Sequence, residues 1–321
     1  MTGPRTALVV VIVTYNSAND IANCLSALAE ATREPYTLVV VDNDSQDDTI
    51  DRLRELRIDV YRSETNLGFA GGCNLAMQLA APSDFLLLLN PDARPLPGSV
   101  DALRQAANRH PSGAVFGARI LTPAGGLDPS CAMGAMTVWS ALCFGLGLSS
   151  LFPQNRFLDP ESLAAWQRDD ERQVPVIPGT MALVRRCAWQ QVGGFDERFF
   201  MYSEDTDLCL RLRKANWSCW LVPTSSAWHD TGASSSPGAR IVMLLRGRVT
   251  YATLHMSPFL GRVVTLLLLL GVGLRARGPD VARAVTKRRT ERPRTSVNAW
   301  TEALTRRSEW LHGWGAGSDP A

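Results

Sequence analysis

Apolar residues in this chain fall into short runs separated by amphipathic stretches. Ala7–Val13 is a valine-rich run of seven, ended by Thr14-Tyr15-Asn16-Ser17. A continuous apolar run bounded by polar residues predicts a buried strand. Ile21, Leu25 and Leu28 then recur at helical spacing. Leu38–Val41 predicts a second strand, ending in Asp42-Asn43-Asp44-Ser45. Residues 47–57 carry Ile50, Leu53 and Leu56, a second amphipathic helix, and Asp59–Tyr61 predicts a short third strand. Asn66-Leu67-Gly68-Phe69-Ala70-Gly71-Gly72 is a glycine-rich loop that opens a helix running to residue 81. Phe85–Leu89 is a fourth strand, ending in Asn90-Pro91-Asp92. A helix over Leu96–Asn108 and a strand over Ala114–Ala118 follow. This β-α-β-α order predicts an α/β fold: a doubly wound, mostly parallel sheet flanked by helices.

The second half is less regular. Residues 122–172 scatter Met133, Met136, Trp139, Leu142 and Phe144 among small residues, and Pro153–Trp166 reads as loop. Val174–Val184 returns to strand character, and Trp217–Val222 predicts a last strand with His229 shortly after it. Between them, Phe200-Met201-Tyr202-Ser203-Glu204-Asp205-Thr206-Asp207 runs into a helix with Leu208 and Leu212 inward. Ser257–Leu274 is almost wholly apolar, with a core of Val263–Leu274. Runs of about 10–14 apolar residues are more often buried or interfacial than spanning. An in-plane or re-entrant helix with arginines at the lipid headgroups is therefore expected. The expected division is 1–238 for the α/β domain, 239–294 for a basic, apolar, membrane-associating helical segment, and 295–321 for a loosely ordered tail.

Charge sharpens that division. The 321 residues carry a net of +2, but Arg240–Arg294 holds twelve Lys or Arg and two acids, a local +10 that leaves −8 for the remainder. A basic segment on an acidic body points to an anionic lipid surface or another polyanion. Nucleic acid is not expected, because Tyr251 and Phe259 are the only aromatics in that segment and form no stacking array. The seven cysteines are odd in number and form no C-x-x-C pair, which argues for a reducing compartment rather than disulfides or zinc. The first apolar run is too short for a signal peptide, so none is expected.

Four polar clusters lie at strand ends or connections: Thr14–Asn16, Asp42–Asp44, Asn90–Asp92 and Glu204–Asp207. Doubly wound sheets bind ligands at the carboxyl ends of their strands. Neither G-x-G-x-x-G after strand one nor G-x-x-x-x-G-K-[ST] is present, so no Rossmann dinucleotide site or P-loop is expected. Asn90 and Asp92 supply oxygen ligands suited to a hard divalent ion shared with substrate phosphates. Other roles exist for each cluster. Asp42 could cap a helix, the glycines could form a plain turn, the acids of 204–207 could cap the following helix, and His229 could be a satisfied core residue.

Six stretches taken in order resemble glycosyltransferase family 2, with the GT-A fold. They are Val11–Asn16, Val40–Ser45, Asn66–Asn74, Leu89–Ala93, Gly194–Glu197 and Phe200–Asp207. The N-P-D form with F-x-M-Y-x-E-D is most similar to the bacterial rhamnosyltransferase branch, whose actinobacterial members include enzymes acting on GlcNAc-diphosphate-polyprenol. The resemblance implies an inverting transfer of a sugar, L-rhamnose from dTDP-L-rhamnose, to a lipid-linked acceptor at the cytoplasmic face of the membrane in cell-wall synthesis. It implies that Asp42 holds the base or ribose, with Thr14, Tyr15 and Asn16 lining that pocket and Asn66, Gly68 and Asn74 shaping its floor. Asn90 would reach the ribose. Asp92 would bind Mg²⁺ or Mn²⁺, with His229 completing the metal site. Asp205 would be the base, with Glu204, Asp196 and Glu197 on the acceptor side. Asn90 replaces the aspartate commoner in the family, which removes a charge from the metal site. Two rival classes are a sugar-phosphate nucleotidylyltransferase, which would want a glycine-rich basic loop after strand one, and a non-catalytic nucleotide-sugar-binding module. Within the family, UDP-galactofuranose or a UDP-hexose are rival donors.

Overall fold

The computed structural model describes residues 6–153, 155–163, 166–229, 236–286 and 298–315. In chain order, β1 (Thr6–Thr14), α1 (Ile21–Ala31), β2 (Thr37–Asp42), α2 (Thr49–Glu55) and β3 (Val60–Arg62) come first. Then follow α3 (Gly68–Leu79), β4 (Ser83–Leu89), β5 (Ala93–Pro95), α4 (Ser99–Arg109) and β6 (Gly113–Leu121). The excursion after β6 carries α5 (Val138–Gly145) and α6 (Leu148–Leu151). The chain returns through β7 (Arg172–Gln173), β8 (Met181–Arg185), α7 (Arg186–Val192), α8 (Glu204–Lys214) and β9 (Ser218–His229). It ends in α9 (Pro237–His255), α10 (Pro258–Thr286), α11 (Ala299–Thr305) and α12 (Arg307–Trp310).

The first compact unit comprises Met1–Ala135, Trp166–Phe200 and Glu204–Ser234. Its sheet has nine strands, in the order β3-β2-β1-β4-β8-β6-β9-β5 with β7 beside β9. β3, β2, β1 and β4 pair in parallel, as the βαβ crossovers require. β8 inserts antiparallel between β4 and β6, and β9 lies parallel to β6. Six strands therefore point one way, and only the short or inserted β5, β7 and β8 run against them. The α/β class read from the sequence is what folds. The central strands are buried on both faces: Leu8, Val9, Val10, Ile12, Leu86 and Leu87 have no exposed surface. That is why they read as unbroken apolar runs.

Three boundaries differ from expectation. The strand expected over Val174–Val184 is confined to Met181–Arg185, because Pro175 and Pro178 cannot donate to a ladder. The last strand extends to His229, past a register jump between Ala118 and Arg119 on its partner. The helix expected from Leu96 starts at Ser99, after Gly98 in a left-handed turn (φ 73°).

The second unit comprises Met136–Ala165, Met201–Ser203 and Ser235–Ala321. The excursion expected to be irregular contains α5, opened by a reciprocal cap between Thr137 and Ser140. α5 packs on α10 through glycines. A Cβ on Gly145 would lie 2.8 Å from the Leu267 carbonyl, and one on Gly271 would lie 2.6 Å from the Phe144 ring. Arg275 stacks over Phe144 at 4.0 Å and donates to its carbonyl at 2.9 Å. Arg248 grips Glu161 with two bonds, 2.7 and 2.6 Å. The tail is not loose over 298–315: Trp310 is fully buried and Trp314 packs under Arg246 at 4.1 Å. Widely spaced tryptophans, rather than a helical stripe, carry that docking. Residues 295–297 and 316–321 lie outside the described residues.

Within α10, Pro258–Arg277 is the one helix among the described residues long and apolar enough to cross a membrane. It is 20 residues, longer than the twelve-residue core visible in the sequence, because flanking small and polar residues continue the helix. Val264, Leu268 and Val272 face the unit's interior, while Phe259, Leu266, Leu270 and Leu274 are exposed.

Candidate active site

The ends of β1 and β2 form one hydrogen-bonded knot. Asp42 is fully buried, and its carboxylate is already engaged. Oδ1 accepts the Thr14 hydroxyl (2.8 Å) and the Ser45 hydroxyl (2.5 Å), and Oδ2 accepts the Ser45 N–H (2.9 Å). Asn16, at φ 51°, gives its N–H to Ser45 Oγ and takes the Gln46 N–H on Oδ1. Thr14, Asn16 and Asp42 thus come together as the sequence suggests, but they largely satisfy one another. Tyr15 beside them is 43% exposed.

Asn43, which the sequence reading passed over, is different. Its N–H bonds the Thr14 carbonyl and its Nδ2 bonds the Gly68 carbonyl at 2.8 Å. Its Oδ1 is sealed from solvent and has no partner. An unmatched buried acceptor is uncommon in a native fold and marks this strand end as unusual. The signal available in the sequence was its position beside Asp42.

Gly68 requires its identity. Its φ is +71°, and a Cβ would collide with the Phe200 carbonyl. That close approach lets the Phe69 N–H bond the same carbonyl at 2.8 Å. Asn66 caps the turn by accepting the Gly68 N–H at 2.9 Å. Asn74 points elsewhere: it donates to the Phe195 carbonyl and Glu197 Oε1, both at 2.9 Å, and accepts the Phe195 N–H. Asp196 pairs with Arg198 at 2.6 Å, and that contact holds its carboxyl below the usual range. Asn74, Asp196 and Glu197 are therefore spent on the Gly194–Glu197 turn.

The second pair of strand ends brings Asp92 to His229. His229 lies opposite Ala93 in the β5–β9 ladder, and Asp92 Oδ1 is 3.1 Å from His229 Nε2. Both side chains are largely withdrawn from solvent. Among the described residues no third histidine, cysteine or carboxylate joins them. One carboxylate oxygen and one imidazole nitrogen suit a divalent ion that completes its shell from substrate phosphates and water. Asn90 holds the turn instead, its N–H on the Thr180 carbonyl (3.0 Å) and its carbonyl accepting the Ala93 N–H (3.1 Å).

The acidic cluster opens α8, and its three carboxyls are in three states. Asp207 is locked to Arg211 by bonds of 2.7 and 2.5 Å. Glu204 is buried with Oε2 unpartnered, and burial, then the charges of Asp205 and Asp207, pushes its carboxyl well up. Asp205 is pushed up to about 6 by burial, opposed by N–H bonds from Thr206 and Gly179 and by the Thr206 hydroxyl. Burial thus raises both carboxyls, and a buried carboxylate whose affinity for a proton is raised toward neutral pH is suited to act as a base. Pro178-Gly179-Thr180 connects this cluster to the rest. Gly179 donates to Asp205, and Thr180 accepts from Asn90. Two consecutive left-handed residues, Tyr202 (φ 67°) and Ser203 (φ 73°), precede the helix.

Asp92 with His229 offers an oxygen and a nitrogen to a divalent ion, and Asp205 offers a buried carboxyl to a proton. The model for glycosyl transferase family 2 matches residues 9–191, and one for glycosyl transferase family group 2 matches 164–314. The N-acetylglucosaminyl-diphospho-decaprenol L-rhamnosyltransferase of Mycobacterium tuberculosis is 34% identical over 245 residues, 71% of this chain and 77% of that protein. The low-salt glycan biosynthesis hexosyltransferase Agl10 of Haloferax volcanii is 25% identical, over 70% of this chain and 67% of its own. Among solved structures, a mannosyltransferase of Pyrobaculum calidifontis in complex with GDP-Man and Mn²⁺ has a TM-score of 0.56 at 15% identity, covering 96% of this chain and 88% of its own. GalNAc-T7 with UDP, GalNAc and Mn²⁺ has the same TM-score and identity, over 75% of this chain and 47% of its own, so the chain spans about half its length.

Proposed function

The chain belongs to glycosyl transferase family 2, and on that premise we propose that it is an inverting rhamnosyltransferase acting on a lipid-linked GlcNAc-diphosphate acceptor. The observation that carries the reading is the buried pair of carboxyls opening α8, both raised by burial, beside the loop that joins them to Asn90. The 34% identity to a rhamnosyltransferase named for such an acceptor supports the choice of sugar and lipid.

In this reading the exposed Tyr15 lines the pocket of the base, and the Asp42 knot with Asn43 holds the strand ends beneath it. Asp92 and His229 hold the divalent cation, with Mn²⁺ favoured by the imidazole and Mg²⁺ the rival. When bound, the ion neutralises the donor diphosphate as it leaves. Asp205 takes the proton from the acceptor hydroxyl as the oxygen attacks the anomeric carbon from the face opposite the nucleotide. General-base help of this kind is typically worth about 10²–10⁴-fold. Burial raises the proton affinity of both Glu204 and Asp205, so the cluster can accept that proton near neutral pH. The exposed apolar stripe of α10 would lie in the surface of an anionic membrane, where the lipid-linked acceptor resides.

The test is a donor screen. Full-length protein is incubated with dTDP-rhamnose, UDP-galactofuranose, UDP-glucose and UDP-GlcNAc, with Mg²⁺ or Mn²⁺ and a GlcNAc-diphosphate-lipid. Acceptor-dependent release of dTDP, lost in Asp205→Asn, is the expected result. Release from another donor overturns the sugar, and release that persists in Asp205→Asn overturns the base.

A further inference from the structure

One half-buried strand cation has no counterpart among the described residues. Among the strand arginines of the first unit, Arg62 and Arg172 are exposed and paired with Asp44 and Asp170, and Arg94 is exposed. Arg185, half-buried, gives its guanidinium to the carbonyls of Gly113 (2.9 Å), Ala107 (2.9 Å) and His110 (3.4 Å). Arg119 on β6 is also half-buried, and its Nε is sealed from solvent without a partner. No carboxylate, carbonyl or ring among the described residues takes any of its N–H groups. A guanidinium carries five donors in a fixed fork, and leaving them unmatched where water is restricted is costly. The sealed, unmatched atom is Nε, the terminal nitrogens not being sealed, and an anion with several oxygens would match the whole fork.

Register fixes where that anion would lie. Leu88 of β4 stands opposite Ala182 of β8, which stands opposite Gly117 of β6. Two residues on along β4 and β6, and two back along antiparallel β8, are Asn90, Thr180 and Arg119. Arg119 is thus level with Thr180, the residue whose carbonyl holds Asn90, and roughly 10 Å from Asn90 across two strand spacings. The extra residues of the register jump belong to β9, where Ala118 faces Val222 and Arg119 faces Ser226. Alternation along β6 is therefore unbroken, and Arg119 shares a face with Gly117. On that face a Cβ at Gly117 would touch Ile177, and the Ile177 carbonyl accepts the Cys209 thiol of α8 at 3.7 Å. Arg119 also lies three residues below the level of His229 along β9. It sits at the catalytic edge of the sheet, on the face of α8.

We propose that Arg119 is a diphosphate-binding residue of the site, its fork filling the charge requirement that Asp92, His229 and the Asn90 substitution leave to others. The site rests on family membership alone for its donor diphosphate, and on the lipid-linked reading for its acceptor diphosphate. The test separates the two. Arg119→Met and Arg119→Lys are compared with the wild-type full chain by calorimetric titration, first with dTDP and UDP against thymidine and uridine, each with Mn²⁺. A second titration uses a short-chain GlcNAc-diphosphate-lipid against the same lipid joined to GlcNAc without phosphate.

A loss of about 10–100-fold in affinity for the nucleoside diphosphates, with the nucleosides unmoved, assigns the residue to the donor. The same loss confined to the diphosphate acceptor assigns it to the acceptor. Arg119→Lys should retain part of the affinity in whichever arm responds. Unchanged binding in both arms overturns the proposal, as does an equal loss for ligands with and without phosphate. If Arg119→Met does not fold, Arg119→Gln serves the same comparison. Turnover of the wild-type protein in the same buffers reports separately on the proposed reaction.

Discussion

Replacing Asp205 by Asn should stabilise the protein while it silences the reaction. The carboxyl titrates at about 6 in the fold against a reference of 3.8. A raised folded value means that the native state binds more protons than the unfolded chain between those two pH values. Stability from this group is therefore present at low pH and lost as pH rises through the window from 3.8 to 6. The difference corresponds to about 3 kcal/mol at pH 7 and above. Asparagine has no charge to desolvate, and its Oδ1 can still accept from Thr206 or Gly179. Relative to wild type, the variant should gain little at pH 4 and up to about 3 kcal/mol at pH 7.5. For a domain of this size about 2–4 °C accompanies each kcal/mol, so several degrees should separate the melting curves. The assay is thermal unfolding of both proteins from pH 4 to pH 8, beside kcat/KM with the best donor. Wild-type kcat/KM should fall on the acid side with an apparent value near 6, and Asp205→Asn should lose about 10²–10⁴-fold on the plateau. A melting-temperature gap that stays constant with pH, or narrows as pH rises, would refute the reasoning.

Asn43→Ala should cost about 1–3 kcal/mol, because it strands the buried Gly68 carbonyl that the Asn43 amide holds, and any loss of nucleoside binding is to be read beside that cost. Asp42→Ala should cost about 2 kcal/mol or more, stranding the hydroxyls of Thr14 and Ser45; chemical denaturation measures both variants. Asp92→Ala and His229→Ala should each raise the apparent Kd for Mn²⁺ about tenfold or more in nucleotide-loaded protein, read by titration of the ion. Trp310→Ala, at a site with no exposed surface, should cost about 3–5 kcal/mol, measured by unfolding.

Much of this was legible in the chain itself. Buried strands of a largely parallel sheet must be apolar on both faces, so β1, β2 and β4 announce themselves, as do the polar residues that end them. What was not legible is how those polar residues divide their bonds. Asp42 and Asn43 are neighbours of similar shape, but one is saturated by Thr14 and Ser45 and the other keeps an open acceptor. Asn74 reads as part of the glycine-rich motif, yet its amide ties the distant Phe195–Glu197 turn. Arg119 was invisible, because an arginine in a strand is unremarked until every other arginine near it is seen to be matched. The docked tail escaped notice for a similar reason. Trp300, half-buried against Arg275 and Phe144, and Trp314, buried under Arg246, meet partners distant in sequence, and Trp310 is fully buried, with no periodicity to signal a helix face.

The carbonyl of Phe200 reaches across to the first turn of α3, where it meets the Phe69 N–H and the bare Cα of Gly68. Four residues later the chain delivers Glu204 and then Asp205. This join is made of main-chain atoms, so it does not depend on the side chains of either segment beyond the one glycine. The join itself therefore survives side-chain changes on either segment that leave Gly68 in place. At position 68 the alphabet is reduced to a single letter.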